Sequence, residues 1–121
     1  MTKHKIIKKW NNKKFDTIID VRSPLEFEED HIVGALNCPV LSDKEREIVG
    51  TIYKRESSFK AKIIGSSLTA KNIALHIENH FTDRKGSWQP LIYCWRGGQR
   101  SKAFSIVLSE VGWRTSQLKG G

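Results

Sequence analysis

The sequence has few cysteines, methionines and prolines: two, one and three among 121 residues. Its apolar runs all fall far short of the roughly 20 residues that a membrane-spanning helix needs. Residues 1–14 are basic and contain no apolar run long enough for a signal peptide. We therefore expect a cytoplasmic chain without a membrane anchor, in which both cysteines are reduced thiols rather than a disulfide.

Length and composition predict one domain. A chain of 121 residues that is 38% hydrophobic can bury one core but not two. Internal repeats and low-complexity linkers are both missing, so the chain has no obvious internal boundary. We divide it into a basic N-terminal segment, residues 1–14, and a globular domain, residues 15–121.

The formal net charge is +8, and lysines cluster at positions 3, 5, 8, 9, 13 and 14. Clustered lysines favour a polyanionic partner such as a nucleic acid, because phosphate neutralisation supplies most of the affinity that does not depend on sequence. A basic tail that is simply solvated is an equally good interpretation. Charge alone does not separate the two.

Apolar spacing predicts alternating strands and helices. An apolar run such as Ile18-Ile19 is typical of a strand buried on both faces of a parallel sheet. We therefore predict an α/β fold, a central parallel sheet flanked by helices. The predicted strands are 15–21, 32–36 and 89–93, and the predicted helices are 25–29, 43–54, 66–81 and 102–111.

The strongest chemical signal follows the third predicted strand. Cys94 stands where strand gives way to helix, and Gly97 and Gly98 allow the positive φ angles of a tight loop. Such a loop can turn N–H groups inward, and the next helix adds positive charge at its N-terminus. With Arg96 and Arg100 nearby, we expect an anion-binding cradle that holds Cys94 substantially as the reactive thiolate.

Other interpretations stay open. Cys94 could be a buried structural thiol, and a cysteine followed six positions later by arginine also occurs in cysteine phosphatases. A phosphatase needs an acid to protonate its leaving group, and Asp83 is the nearest one in sequence. Cys38 lacks nearby glycines and arginines and is predicted to be a small buried hydrophobe. The histidines lack zinc-site spacing, so no metal site is predicted.

The pattern Cys94, Gly97, Arg100-Ser101 resembles the active-site loop of rhodanese-type sulfurtransferases. Further signatures of that family are resembled by Asp20-Val21-Arg22, Glu26-Phe27, His31 to Ala35 and the closing segment 118–121. The resemblance implies that Asp20 and Arg22 support the cysteine loop. For both residues we favour a structural role over a catalytic one.

Residues 45–54 and the loop 94–101 are more specifically similar to the N-terminal rhodanese domain of bacterial tRNA 2-selenouridine synthases. The resemblance implies that Cys94 is catalytic and that the rest of the loop binds the substrate or its anion. It implies replacement of sulfur by selenium in wobble 2-thiouridine, with selenophosphate and geranyl diphosphate as co-substrates and no cofactor held by this chain. The implied loop residues are Trp95, Arg96, Gly97, Gly98, Gln99, Arg100 and Ser101.

That family also has a second, phosphate-binding-loop domain, for which this sequence contains no G-x-x-x-x-G-K-[ST] motif. We expect tRNA to be bound through that second domain and the basic surface. Arg96 is expected to contact either an anionic sulfur or selenium donor or a tRNA phosphate. Trp95 could stack on the target base or shield the loop. The alternatives are a standalone thiosulfate-type sulfurtransferase and, with less support, a cysteine phosphatase.

Overall fold

The structure is a computed structural model and describes residues 5–7, 14–95 and 97–118. The strands are β1 (Lys5–Ile7), β2 (Thr17–Asp20), β3 (Leu36–Asn37), β4 (Pro90–Tyr93) and β5 (Ser116–Leu118), and the helices are α1 (Pro24–Glu29), α2 (Asp43–Arg55), α3 (Ser58–His76) and α4 (Gln99–Val111). From β2 onward, strands and helices alternate along these residues except that two helices lie between β3 and β4. A single π-helical turn, Ile77–Phe81, continues α3.

The strands form one five-stranded sheet in the order β1-β5-β4-β2-β3. Every described strand pair is parallel, which confirms the predicted α/β class. Strands β2 and β4 lie centrally, and their apolar residues pack on both faces of the sheet. Because parallel neighbours end at the same edge, the chain after β2 and the chain after β4 emerge side by side.

The larger core lies on one face of the sheet, where Ile19 and Ile92 pack against residues of α3 and α4. An aromatic group dominates it: Phe81 and Trp88 have ring centroids 4.9 Å apart, and Phe104 lies 6.4 Å from Phe81. Aromatic pairs at these distances add to the hydrophobic stabilisation. The opposite face carries a smaller cluster of Ile18, Leu91, Tyr93 and the partly buried Phe15, Ile32, Ala35 and Leu118.

The predicted capping box at Ser42 is confirmed. Ser42 Oγ accepts a hydrogen bond from the Glu45 backbone N–H at 3.1 Å, and the Glu45 carboxylate accepts one from the Ser42 N–H at 2.8 Å. The same carboxylate accepts a hydrogen bond from Asn72 Nδ2 at 2.8 Å. The cap therefore also ties α2 to α3.

The predicted strand over residues 32–36 is wrong. Gly34 has a φ of +85°, and the Ala35 N–H bonds back to the Ile32 carbonyl, so residues 32–35 form a turn. Strand β3 begins only at Leu36. The apolar side chains of Ile32 and Ala35 cover the sheet face instead of extending the sheet.

Other helix and strand boundaries also differ from the predictions. Helix α3 begins at Ser58, eight residues before the predicted start at 66, because Ser57 caps it by accepting a hydrogen bond from the Lys60 N–H. Helix α4 begins at Gln99 rather than 102. Strands β1 and β5 were not predicted, since three residues are too few to show alternation. Strand β1 lies inside the basic segment 1–14.

We predict that Phe104→Ala lowers the free energy of unfolding by about 3–5 kcal/mol, because it removes a fully buried ring and leaves a cavity. The matched control is Phe59→Ala on α3, where the side chain is 72% exposed and the change should stay within about 0.5 kcal/mol. Urea denaturation followed by tryptophan fluorescence measures both. Equal losses in the two variants would contradict this description of the core.

Candidate active site

The candidate site lies at the carboxyl edge of the two central strands. In the register of β2 and β4, Asp20 is opposite Tyr93, so Cys94 follows directly beside the end of β2. The Val21 N–H donates to the Tyr93 carbonyl at 3.1 Å and continues the pairing past the strand ends. The sheet therefore brings together Asp20, Arg22 and the cysteine loop, which are more than 70 residues apart in sequence.

The loop from Cys94 to α4 turns sharply. Gly97 and Gly98 have φ angles of +86° and +74°, as the sequence predicts for glycines in a tight loop, and Gly98 is the N-cap of α4. Trp95 also has a positive φ, of +70°, which the sequence does not predict. A bulky residue in this region is strained, so the loop conformation is imposed by its surroundings.

Cys94 is 1% exposed, and its sulfur faces the start of α4. The Ser101 N–H donates to Sγ at 3.4 Å, and Ser101 Oγ lies 3.3 Å from Sγ. The thiol can donate to Ser101 Oγ or to the Trp95 carbonyl oxygen, also 3.3 Å away. Cys94 belongs to the larger core cluster, but its sulfur also has polar partners at the N-terminus of a helix, which a purely structural cysteine does not need.

Asp20 and Arg22 form a buried ion pair that supports the loop. The Asp20 carboxylate accepts hydrogen bonds from the Arg22 backbone N–H at 2.9 Å and from its guanidinium at 2.8 to 3.2 Å. Burial lowers the pKa of Arg22, but the hydrogen bond and charge of Asp20 outweigh it, so this pKa is raised. The guanidinium carbon lies 4.1 Å from the centre of the Trp95 ring, which places the pair directly beneath the first loop residue.

Arg100 is held by Glu26 of α1. Its guanidinium donates to the two carboxylate oxygens of Glu26 at 2.7 and 3.3 Å. Burial raises the pKa of Glu26, but Arg100 and then Ser23 more than offset this and bring it to about 2, from an ordinary 4.5. Arg46 of α2 pairs with the same carboxylate. Glu26 therefore connects the cysteine loop to two other helices.

The remaining predicted residues differ in their distance from the loop and in their burial. Gln99 is exposed as the first residue of α4. Of the closing segment 118–121, Leu118 ends β5, while residues 119–121, like Arg96, lie outside the described residues. Cys38 is fully buried in the core, as predicted, and burial followed by the charge of Asp20 raises its pKa to about 12. Both cysteines are free thiols. Asp83 comes before β4 in the chain, whereas Cys94 follows it.

Sequence reasoning did not predict two contacts to the loop, although the family signature includes Glu26. Glu26 stands three residues after Ser23, a spacing that indicates helix capping and gives no sign of a distant arginine. Gln117 of β5 donates through Nε2 to the Gly98 carbonyl and to Ser101 Oγ, each at 2.9 Å. Its position in a short polar strand carries no functional signal in the sequence.

Among the described helices, none has the length and apolarity to cross a membrane. The fold and the site define a class: an α/β domain that presents a buried cysteine in a glycine-containing loop at the carboxyl edge of a parallel sheet. The profile of the rhodanese-like domain family matches residues 3–121, so the chain belongs to that family.

Similar proteins of known name identify one group within this family. The chain is 37% identical over 105 residues to the tRNA 2-selenouridine synthase of Sulfurovum sp. and 35% identical over 112 residues to that of Bdellovibrio bacteriovorus. These matches cover 86% of this chain but only 29% and 28% of the two relatives. The predicted similarity to this group is thereby confirmed, and the chain spans less than a third of the relatives' length.

A solved structure supports the same fold. The N-terminal domain of a Clostridium difficile 630 protein named for ATP/GTP binding is 34% identical and superposes with a TM-score of 0.75. The superposition covers 96% of this chain and 92% of that domain.

We predict that Glu26→Gln lowers the free energy of unfolding at pH 7 by about 1.5–3 kcal/mol, the range for hydrogen bonds to charged groups. The folded-state pKa lies below the ordinary value, so the stabilisation is present above pH 4.5 and is lost as the pH falls towards 2. The variant should therefore show a weaker loss of stability across that interval, measured by urea denaturation at several pH values. Glu28→Gln on the same helix is the exposed control, and an identical pH response in Glu26→Gln and the unmodified protein would contradict the assignment.

Proposed function

We propose that this domain transfers sulfur or selenium through Cys94. The observation that carries the proposal is the position of Sγ at the start of α4, within hydrogen-bonding distance of the Ser101 N–H and hydroxyl. These donors stabilise negative charge on the sulfur, and helix α4 adds its N-terminal dipole. Membership of the rhodanese-like family supports a transferase role.

In the proposed reaction with thiosulfate, the Cys94 thiolate attacks the outer sulfur. A new bond forms between the two sulfur atoms, the bond to the sulfonate sulfur breaks, and sulfite leaves with that electron pair. The product is a persulfide on Cys94. A nucleophilic acceptor then attacks the terminal sulfur, and the Cys94 thiolate leaves with the electron pair of the S–S bond.

The particular function we propose is the rhodanese part of a tRNA 2-selenouridine synthase acting on wobble 2-thiouridine. The relatives with that name support it. The second domain of the complete enzyme would bind most of the tRNA, with selenophosphate and geranyl diphosphate as co-substrates and the cytoplasm as the compartment. Trp95 is 39% exposed, and the roles proposed for it are stacking on the target base and shielding the loop. For Arg96, the family resemblance alone supports a contact to the anionic donor.

Phosphatase chemistry fits the geometry less well. The arginine of a phosphatase loop binds the phosphoryl oxygens, whereas Arg100 is engaged by Glu26. A general acid must be protonated, and the pKa of Glu26 near 2 keeps this carboxyl ionised. Asp83 precedes β4 in the chain, whereas Cys94 follows it, and no described contact joins the two residues.

Incubation of the reduced protein with thiosulfate should make Cys94 heavier by one sulfur, as measured by intact mass spectrometry and peptide mapping. The Cys94→Ser variant should lose the adduct completely, because the attacking sulfur is gone. Cys38→Ser should keep the adduct, since burial raises the pKa of Cys38 to about 12 and leaves it protonated. Hydrolysis of an aryl phosphate with phosphorylated Cys94 and no sulfur adduct would overturn the proposal in favour of a phosphatase.

The chain should also bind tRNA weakly, with an affinity that falls steeply with salt, because its net charge of +8 favours contacts to phosphate. Filter binding over a range of salt concentrations measures this. We expect no selenouridine to form with this chain alone. Binding that does not change with salt would contradict a phosphate-dominated contact, and selenouridine formation would show that the second domain is dispensable.

A further inference from the structure

We propose that Gln117 is a positioning residue that turns the Ser101 hydroxyl toward the sulfur of Cys94. Gln117 is the middle residue of β5, is 5% exposed, and reaches the loop from the strand next to β4. It does not touch the sulfur itself. Its two hydrogen bonds go to the Gly98 carbonyl and to Ser101 Oγ.

The orientation of the Gln117 amide follows from its partners. The Gly98 carbonyl oxygen can only accept, so the group 2.9 Å from it must be the NH2 and not the amide oxygen. The second hydrogen of that NH2 points to Ser101 Oγ, also at 2.9 Å. Gln117 therefore donates to both groups, and Ser101 Oγ accepts.

The direction of the Ser101 hydroxyl proton follows next. Its possible acceptors are the Gly98 carbonyl at 3.2 Å and Cys94 Sγ at 3.3 Å. The Gly98 carbonyl already accepts from the Lys102 N–H at 2.8 Å and from Gln117, which occupies both of its lone pairs. When Cys94 is ionised, the hydroxyl proton is therefore free to turn to the sulfur anion, alongside the Ser101 N–H.

The amide oxygen of Gln117 indicates that this side chain does more than stabilise the fold. Within the described residues, its Oε1 is buried and has no hydrogen-bond partner. An unpaired buried oxygen costs folding free energy, whereas an apolar side chain of similar size would not. Among the described residues, the Gln117 side chain thus combines an unpaired buried oxygen with two donated hydrogen bonds, and those hydrogen bonds organise the cysteine site.

This inference rests on the proposed function, in which the Cys94 thiolate is the reacting form, but alkylation of Cys94 tests it without any sulfur transfer. In Gln117→Leu, iodoacetamide should alkylate Cys94 about 10-fold more slowly at neutral pH, the effect of weakening one hydrogen bond to a charged group. The pH profile of alkylation should move to higher pH. Urea denaturation of the same variant separates this effect from any loss of stability caused by removing the two Gln117 hydrogen bonds. Gln117→Met serves the same test should the leucine variant fail to fold.

Two further variants complete the experiment. Ser105→Ala is the matched control, because Ser105 is also buried on α4 and its hydroxyl has no partner among the described residues; it should alkylate like the unmodified protein. In a Ser101→Ala background, Gln117→Leu should cause no additional loss of reactivity, because the hydroxyl it orients is absent.

The outcomes are distinct. Unchanged alkylation in Gln117→Leu, or a loss of reactivity that only parallels a loss of stability, would overturn the positioning role. Slower alkylation with retained stability would support it. A missing thiosulfate adduct in the unmodified protein, with the alkylation results as expected, would refute the proposed transfer function and leave the role of Gln117 standing.

Discussion

The parallel pairing of β2 with β4 is the constraint on which the rest of the site depends. Its register sets Asp20 opposite Tyr93, so both chains leave the sheet at the same edge and the Arg22 side chain reaches beneath Trp95. Because the apolar residues of both strands are buried on alternating faces, a slip of one residue would exchange those faces. The hydrophobic core therefore fixes the geometry of the cysteine site as well as the stability of the fold.

The charged side chains at the site stabilise the structure of the loop, whereas other groups stabilise negative charge on the sulfur. The described arginines near the loop, Arg22 and Arg100, are neutralised by Asp20 and Glu26, and each pair joins the loop to another element. Removing one partner of such a pair leaves an uncompensated charge, at a cost of about 3–5 kcal/mol where the pair is fully buried. Stabilisation of negative charge on Cys94 thus falls to the Ser101 N–H and hydroxyl and to the start of α4.

The strained backbone of Trp95 is consistent with a structural role for Arg22. A positive φ at a residue with a large side chain costs on the order of 1–3 kcal/mol, and the stacking of the indole on Arg22 at 4.1 Å offsets part of that cost. The outcome is a loop whose entry is held by a rigid, charged support, with the indole still 39% exposed at the mouth of the site. Preorganisation of this kind suits a site that must stabilise an anion without rearranging.

The sequence by itself determined the α/β class, the central strands, the capped helix α2 and the loop that carries Cys94, because local apolar spacing and glycine placement encode these features. It misplaced the strand at 32–36, where Gly34 makes a turn, and missed β1 and β5, which exist only through pairing with distant neighbours. Only the tertiary structure decided that Arg100 meets Glu26 and that Gln117 reaches Ser101, contacts separated by 74 and 16 residues. Such contacts depend on strand order and helix packing, which bring together side chains whose local sequence gives no sign of the partnership.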